Sequence, residues 1–365
     1  MVLLFSILAI TGIGTFAFMK LSPQFGQIPE GEDLKRIEQS TNYEDGIFVN
    51  LVETTMDMDF SKLGETMQEY MNSTRTTPAE PLPTHFDPTP ENLELDSLVY
   101  VTWYGHSAIL LEMEGKHILI DPMFGAVAAP VSFFGRRFKY QEPIDIDALP
   151  HIDAVIISHD HYDHLDYPTI SKIKEKVGHF YTPLGVGSHL KSWEVPADHI
   201  TELDWWQSAQ LDSLTFTATP SRHFSGRGFG DRSKTQWASW VIKGQNNNIY
   251  FSGDGGYGPH FKEIGEKLGP FDFTMMECGQ YNEKWAQIHM MPEETAQAHL
   301  DVQGKAMMPI HWGAFQLASH SWTDPVERVQ KASEANGIDF VSPRIGQRFE
   351  IHESLPHTRW WEELE

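Results

Sequence analysis

The sequence predicts an α/β fold with ligand-type side chains gathered at strand ends, and three observations carry that expectation. Leu98–Trp103, Ala108–Met113 and His117–Ile120 read as successive strands joined by short glycine turns. Farther on, helical stretches such as Pro168–Lys176 alternate with apolar runs through Asp204. Between them the β-branched run Ala154–Ile157 has the composition of a buried strand and ends in a crowd of His159, His161, Asp163 and His164.

That crowd belongs to the stretch VIISHDHYDHLDY, Val155–Tyr167. Alternate residues of an extended or tightly turned segment project together, so His159 and His161 can grip one ion. Asp163 and His164, past the bend, are free to hold a second. Imidazole and carboxylate suit zinc, with iron or manganese as alternatives. The competing explanation is a polar loop with incidental histidines, since the chain has 18 of them. The His-x-His-x-Asp-His spacing at the end of a hydrophobic strand outweighs it.

Later strands repeat the arrangement. Thr215–Thr219 runs into His223, and the hairpin Trp237–Ile242 with Asn248–Phe251 presents Asp254 at a glycine turn. Ala306–Ile310 delivers His311. Alone, each is an ordinary turn or loop residue; their repetition at strand exits makes them candidate ligands. His106, a lone histidine between the first strands, is expected to be a structural hydrogen-bonder and stands outside the ligand set.

A length of 365 residues admits two domains or one large domain with extensions. Apolar content of 40%, with 11 Trp and 22 Phe, supports a sizeable core. The net charge of −24, from 51 acidic and 27 basic residues, repels polyanions, so nucleic acid is not an expected partner. Cys278 is the only cysteine and excludes an intramolecular disulfide framework.

Residues 1–20 read as a membrane anchor, with a signal peptide as the alternative: Val2–Met19 is nearly continuously apolar and long enough for a bilayer core of about 30 Å. Lys20, Lys35 and Arg36 follow this span, which favours a single-pass protein with a cytoplasmic body. Residues 21–96 are expected to be an arm and linker, with a short helix whose Leu63, Met67, Tyr70 and Met71 share a face below a Ser61 cap. The catalytic domain then covers 97–353 and a C-terminal tail 354–365. Met123–Tyr140 offers a lip on which Phe133, Phe134 and Phe138 meet acyl chains and Arg136, Arg137 and Lys139 meet phosphate. The alternative is a loop packed on the core.

Taken together, His159, His161, Asp163, His164, His223, Asp254 and His311 resemble the ligand series of the metallo-β-lactamase superfamily of binuclear zinc hydrolases. The stretches WYGHSAILLEM, IDAVIISHDHYDHLDY, ELDWW, TPSRH, SGDGGY, GPFD, PEE and IHWGAF look most like the N-acylphosphatidylethanolamine-hydrolysing phospholipase D family. The resemblance spans most of Trp103–Phe315. It implies an αββα sandwich binding two zinc ions per chain, one by His159, His161 and His223, the other by Asp163, His164 and His311, with Asp254 bridging. The implied chemistry is hydroxide attack on phosphorus, with Asp163 and Asp254 in the catalytic centre and His289 as a substrate contact. Asp121 or Asp166 would orient a ligand imidazole. Where the mammalian-type enzymes have a glutamine before that histidine, this chain has Ile288, which loosens the expected preference for an N-acyl head group. Expected partners are a phospholipid or other phosphodiester, a membrane and, as an open alternative, a second copy in a homodimer. The rival functions are a lactonase or other ester or amide hydrolase on the same metals, and a membrane-tethered metal-binding protein without catalysis.

Overall fold

The computed structural model describes residues 2–56, 63–94, 98–353 and 355–364; the side chains of residues 2–10, 63, 66 and 67 lie outside the description. Apart from a small antiparallel pair, Tyr43–Glu44 with Ile47–Phe48, the strands in chain order are β1 (Val99–Trp103), β2 (Ile109–Met113), β3 (Lys116–Ile120), β4 (Ile152–Ile156), β5 (Val177–Pro183) and β6 (Ile200–Leu203). There follow β7 (Ser208–Leu211), β8 (Leu214–Thr219), β9 (Ser239–Lys243), β10 (Asn248–Phe251), β11 (Phe271–Glu277), β12 (Gly304–Ile310) and β13 (Asp339–Phe340). The last strand, β14 (Arg348–Glu350), returns to the first sheet. Two seven-stranded sheets result, ordered β14-β1-β2-β3-β4-β5-β6 and β13-β12-β11-β10-β9-β8-β7.

Each sheet is antiparallel where hairpins build it and parallel where helices, or in the case of β3 and β4 the long loop 121–151, cross over. β1, β2 and β3 pair antiparallel, whereas β3 through β6 run parallel. The second sheet repeats this, with β7 to β10 antiparallel and β10 to β13 parallel. Alternate residues of one strand enter different cores. Ile109, Leu111, Ile118, Ile120, Ala154 and Ile156 join the layer between the sheets, with Phe216, Trp240 and Tyr250 of the second sheet. Leu110, Leu119 and Val155 face the other way, onto Ile170, Ile173 and Leu190 of the outer helices. Both faces are covered, which is why the strands read as continuous apolar runs. The architecture is the expected αββα sandwich.

The expected transmembrane anchor needs correction. The backbone is helical over Val2–Leu21, but among the described residues no helix is long and apolar enough to cross a membrane. A span needs about 20 apolar residues. The described side chains of this helix begin at Thr11 and include Thr11, Thr15 and Lys20 beside Gly12 and Gly14, while those of residues 2–10 of the proposed span lie outside the description. Its C-terminal end rests on the body. Phe18 packs edge-on against Phe25 at 5.5 Å, and the Met19 methyl lies where a Cβ on Gly228 would meet it.

The stretch between that helix and β1 wraps the body. Phe48 is buried, and its amide donates to Ser233 O at 2.8 Å. A helix forms over Leu63–Asn72; Tyr70 Oη donates to Leu317 O at 2.6 Å, while Met71 is exposed. The Ser61 cap lies outside the described residues. At the other end, Trp360 and Trp361 are fully buried, and Trp360 stacks on Trp312 at 5.3 Å. The expected lip divides in two. Phe133 and Phe134 are exposed, but Phe138 is buried near Trp322. Arg137 turns inward to Met123 O and Gly125 O, with its guanidinium 4.5 Å from the Phe315 ring.

Candidate metal centre

Each predicted ligand follows a strand at one rim of the sandwich. After β4 the chain turns at His161, whose carbonyl accepts from the amides of His164 and Leu165. This turn folds His159 and His161 onto each other, and the exit from β8 adds His223. His161 Nδ1 lies 2.8 Å from His159 Nε2 and 3.2 Å from His223 Nε2. Nitrogens bound tetrahedrally at 2.0–2.1 Å would stand about 3.3 Å apart, so the His161–His223 separation is near that of a shared metal ion and the His159–His161 pair is closer.

The second cluster holds Asp163, His164 and His311, with His106 beside them. Asp163 Oδ2 lies 3.5 Å from His164 Nε2 and 4.0 Å from His311 Nε2. Asp254 sits between the clusters. Its Oδ2 is 3.1 Å from His164 Nε2 and 3.9 Å from both His159 Nε2 and His223 Nε2, while Oδ1 is 3.2 Å from His311 Nδ1. Gly253 makes this possible: its φ is +56°, and a Cβ there would stand 2.8 Å from Ala238 O. All the predicted ligands are thus brought together. His164 Nε2 and Asp254 Oδ1 are buried without hydrogen-bond partners; such groups are costly unless an ion or another donor satisfies them.

The charges point the same way. Burial pulls His159, His223 and His311 well below the ordinary histidine range and brings His161 to about 4, which leaves neutral, ligating imidazoles. Burial also opposes charge on His164, but Asp254, Asp163 and Asp121 together hold it well above its usual value. Three carboxylates here favour a positive charge, which a bound cation supplies. Asp254 is pushed up to about 6, mainly by burial, with His164 opposing.

Neighbouring groups fix the rings. Asp121 accepts from His164 Nδ1 at 2.7 Å and from the Ser158 amide at 2.7 Å. Of the two aspartates expected to orient a ligand, Asp121 does so. Asp166 instead caps the helix Tyr167–Ile173 through the Thr169 amide. His223 Nδ1 is 2.9 Å from Ile288 O. His106, left outside the set, approaches Asp163 Oδ2 with Nε2 at 2.9 Å. Its backbone exchanges hydrogen bonds with the strand exit carrying His311: His106 N to Trp312 O at 2.7 Å and His311 N to His106 O at 2.9 Å. The Gly-His pair in a strand turn was the available signal; its partner lies 205 residues away and is invisible locally.

Three further residues went unrecognised in the sequence. Asn50 accepts from the His223 amide at 3.1 Å and donates to His223 O at 2.8 Å. Arg227, buried, lies 4.1 Å over the Tyr162 ring and donates to the carbonyls of Asp160 and Leu165, bracing the metal loop. Glu277, also buried, accepts from His289 Nδ1 at 2.7 Å. His289 lines the cavity over the two clusters. That cavity of ≈ 270 Å³ has His161, Asp163, Asp254 and His311 on its floor and Met56, Phe224, Trp285, Ile288 and Leu317 as an apolar wall.

Two packed mixed sheets with histidine and aspartate clusters at one rim define a class of metal-dependent hydrolase. A beta-lactamase superfamily domain model matches residues 116–312. The chain belongs to the metallo-β-lactamase superfamily, a fold that implies a divalent metal. Within it, the chain is 30% identical over 305 residues to N-acyl-phosphatidylethanolamine-hydrolyzing phospholipase D 1 of Caenorhabditis elegans, covering 79% of this chain and 85% of that one. An uncharacterized protein of Mycobacterium bovis is 44% identical over 331 residues, 89% of this chain and 88% of that one. Among solved structures, the metallo hydrolase Igni18 from Ignicoccus hospitalis shares the fold with a TM-score of 0.53 at 21% identity, over 69% of this chain and 98% of that one.

Proposed function

We propose that this protein is a dinuclear zinc phosphodiesterase of the phospholipase D type, acting on N-acylphosphatidylethanolamine-like phospholipids at a membrane surface. The observation that carries the reading is the paired His/Asp cluster beneath a cavity with one apolar wall. Kinship with the nematode phospholipase D gives the substrate class. His159, His161 and His223 would hold one ion, Asp163, His164 and His311 the other, and Asp254 would bridge them. Zinc bound there supplies Lewis-acid polarisation of a phosphoryl group and a water acidified to near neutral pH. The chain's own contribution is orientation. Asp121, the Ile288 carbonyl and Asn50 hold His164 and His223 in register, and the apolar wall excludes water from one side of the substrate.

Exposed Phe133, Phe134 and Phe229 supply apolar contacts for a lipid surface. Their loops are tied together through Gln24, whose Nε2 donates to Pro130 O while its carbonyl accepts from Arg227. The decisive experiment compares specificity constants for a long-chain phosphodiester, its short-chain analogue and a sugar lactone. The long-chain phosphodiester should lead. A wide lead for the lactone would replace this reading with the lactonase alternative. Ile288→Gln should sharpen preference for an N-acyl head group by up to about tenfold, since one hydrogen bond to a neutral amide contributes roughly 0.5–1.5 kcal/mol.

A further inference from the structure

The metal loop has a back as well as a face. His159, His161, Asp163 and His164 meet in the clusters, whereas the intervening Asp160 and Tyr162 find their partners elsewhere. Asp160 is buried; its Oδ1 accepts from the Gly226 amide at 2.7 Å, and its Oδ2 accepts from Thr235 Oγ1 at 2.8 Å and lies 3.1 Å from His189 Nε2. Tyr162 Oη donates to Arg227 O at 2.7 Å. Against these groups lies Pro23–Gln27, the segment that follows the N-terminal helix. Arg227 Nε and Nη2 donate to Gln24 O at 2.9 and 2.7 Å, while its Nη1 reaches the Asp160 and Leu165 carbonyls. Phe25 stands edge-on to Tyr162 at 6.3 Å, and Trp193 Nε1 donates to Pro23 O at 2.7 Å. The Gln27 amide donates to His189 Nδ1 at 3.1 Å. An amide N–H only donates, so Nδ1 is the acceptor and Nε2 carries the proton given to Asp160. Gly26 permits the approach: its φ is +65°, and a Cβ there would collide with the His189 ring.

We propose that Pro23–Gln27, acting through Arg227 and His189, is a positioning element of the metal centre, setting the register of the loop that carries His159, His161, Asp163 and His164. The proposal needs a divalent metal at the clusters and does not need the phosphodiesterase reading. Its physical basis is the accounting of buried polar groups. Arg227 and His189 are both buried, and each joins the segment to Asp160, the residue between the first two ligands. Without the segment, the Arg227 fork loses its Gln24 acceptor and His189 loses the donor to its Nδ1. An unpaired buried group is costly, so the network shifts to recover partners, and the loop shifts with it. Metal–ligand distances hold to about 0.2 Å, so even a small shift of this loop weakens coordination. A stretch whose sequence reads as a tether thus belongs to the site.

The test perturbs the segment itself, touching no ligand. Full-length wild type, Gly26→Ala and Gln27→Pro are compared: the first drives a methyl into the His189 ring, and the second deletes the amide hydrogen that the ring accepts. Chelator competition should show zinc bound about 10–100-fold more weakly by both variants. Cobalt(II)-loaded protein should show an altered visible d–d spectrum, which a change in packing alone leaves untouched. Phe16→Ser, at an exposed side chain of the terminal helix, should alter neither. Coupling is reciprocal, so zinc should slow hydrogen exchange at the Gln27 amide of wild type, a measurement that decides the matter even if neither variant folds. On a short-chain phosphodiester without membrane, both variants should lose about tenfold or more in kcat with KM held, a split that a role in membrane attachment does not produce. Wild-type zinc affinity and cobalt spectrum in both variants, an equal change in Phe16→Ser, or Gln27 exchange indifferent to zinc overturns the proposal. A wild-type protein that binds zinc yet cleaves no phosphodiester overturns the phosphodiesterase reading, and the metal readouts still decide this one.

Discussion

Asp254 touches both ligand clusters, and its effects should exceed those of any single histidine. If the proposed two-zinc centre is right, Asp254→Asn would remove the charge placed between the ions, so turnover should fall about 10²–10³-fold and metal content should drop below two zinc per chain. Elemental analysis and steady-state kinetics check both; near-normal rates would remove Asp254 from the centre. Asp121 acts at one remove, through His164 Nδ1. Asp121→Asn should weaken metal binding about 10–100-fold, measured by chelator competition, with the fold intact. The clustering of these ligand-type residues was legible because strand exits and spacing are local properties. The choice between Asp121 and Asp166 was not, because an aspartate that orients an imidazole and one that caps a helix look alike until the partner is known.

Among the elements, the segment from Asn42 to Met56 departs most from expectation. Its sequence reads as a linker, yet Asn50 makes paired hydrogen bonds to the His223 main chain and Met56 lines the cavity. Asn50→Ala leaves two buried main-chain groups unpaired and should cost about 1–3 kcal/mol of stability. Denaturant unfolding reads that cost, and faster zinc loss to a chelator should accompany it if the segment holds His223 in place. Unchanged zinc exchange would confine Asn50 to a packing role. A strap of this kind shows no periodicity of its own, because its side chains answer to residues about 170 positions away.

Across the whole molecule, buried neutral histidines make the fold sensitive to acid. Burial lowers His260 to about 3 and His299 to about 4, and neither belongs to the metal centre. The unfolded chain protonates them near 6.5. Stability is therefore fully present above pH ~6.5 and is lost as pH falls toward the folded values, because the unfolded state binds more protons in that window. The melting temperature should drop between pH 6.5 and 5, and His299→Gln should flatten the drop, since that one group contributes at most about 2 kcal/mol over that interval. Membrane association belongs to this scale too. Replacing Phe133, Phe134 and Phe229 with serine should reduce sedimentation with zwitterionic vesicles while leaving hydrolysis of short-chain substrate intact. Retention of vesicle binding would place the lipid contact elsewhere.

The sequence alone determined the α/β class, the strand exits and the identity of the ligand-type residues. Strand composition and the spacing His159-x-His161-x-Asp163-His164 follow from local chain geometry, which adjacent residues encode. The tertiary structure decided which distant groups hold those residues, Asn50 on His223 and His106 on Asp163, and it set Glu277 against His289 at the cavity. It also separated exposed Phe133 and Phe134 from buried Phe138, and drew Trp360 and Trp361 into the core. Such pairings depend on how two sheets close over one another, and a contact across that closure leaves no periodic trace in either partner.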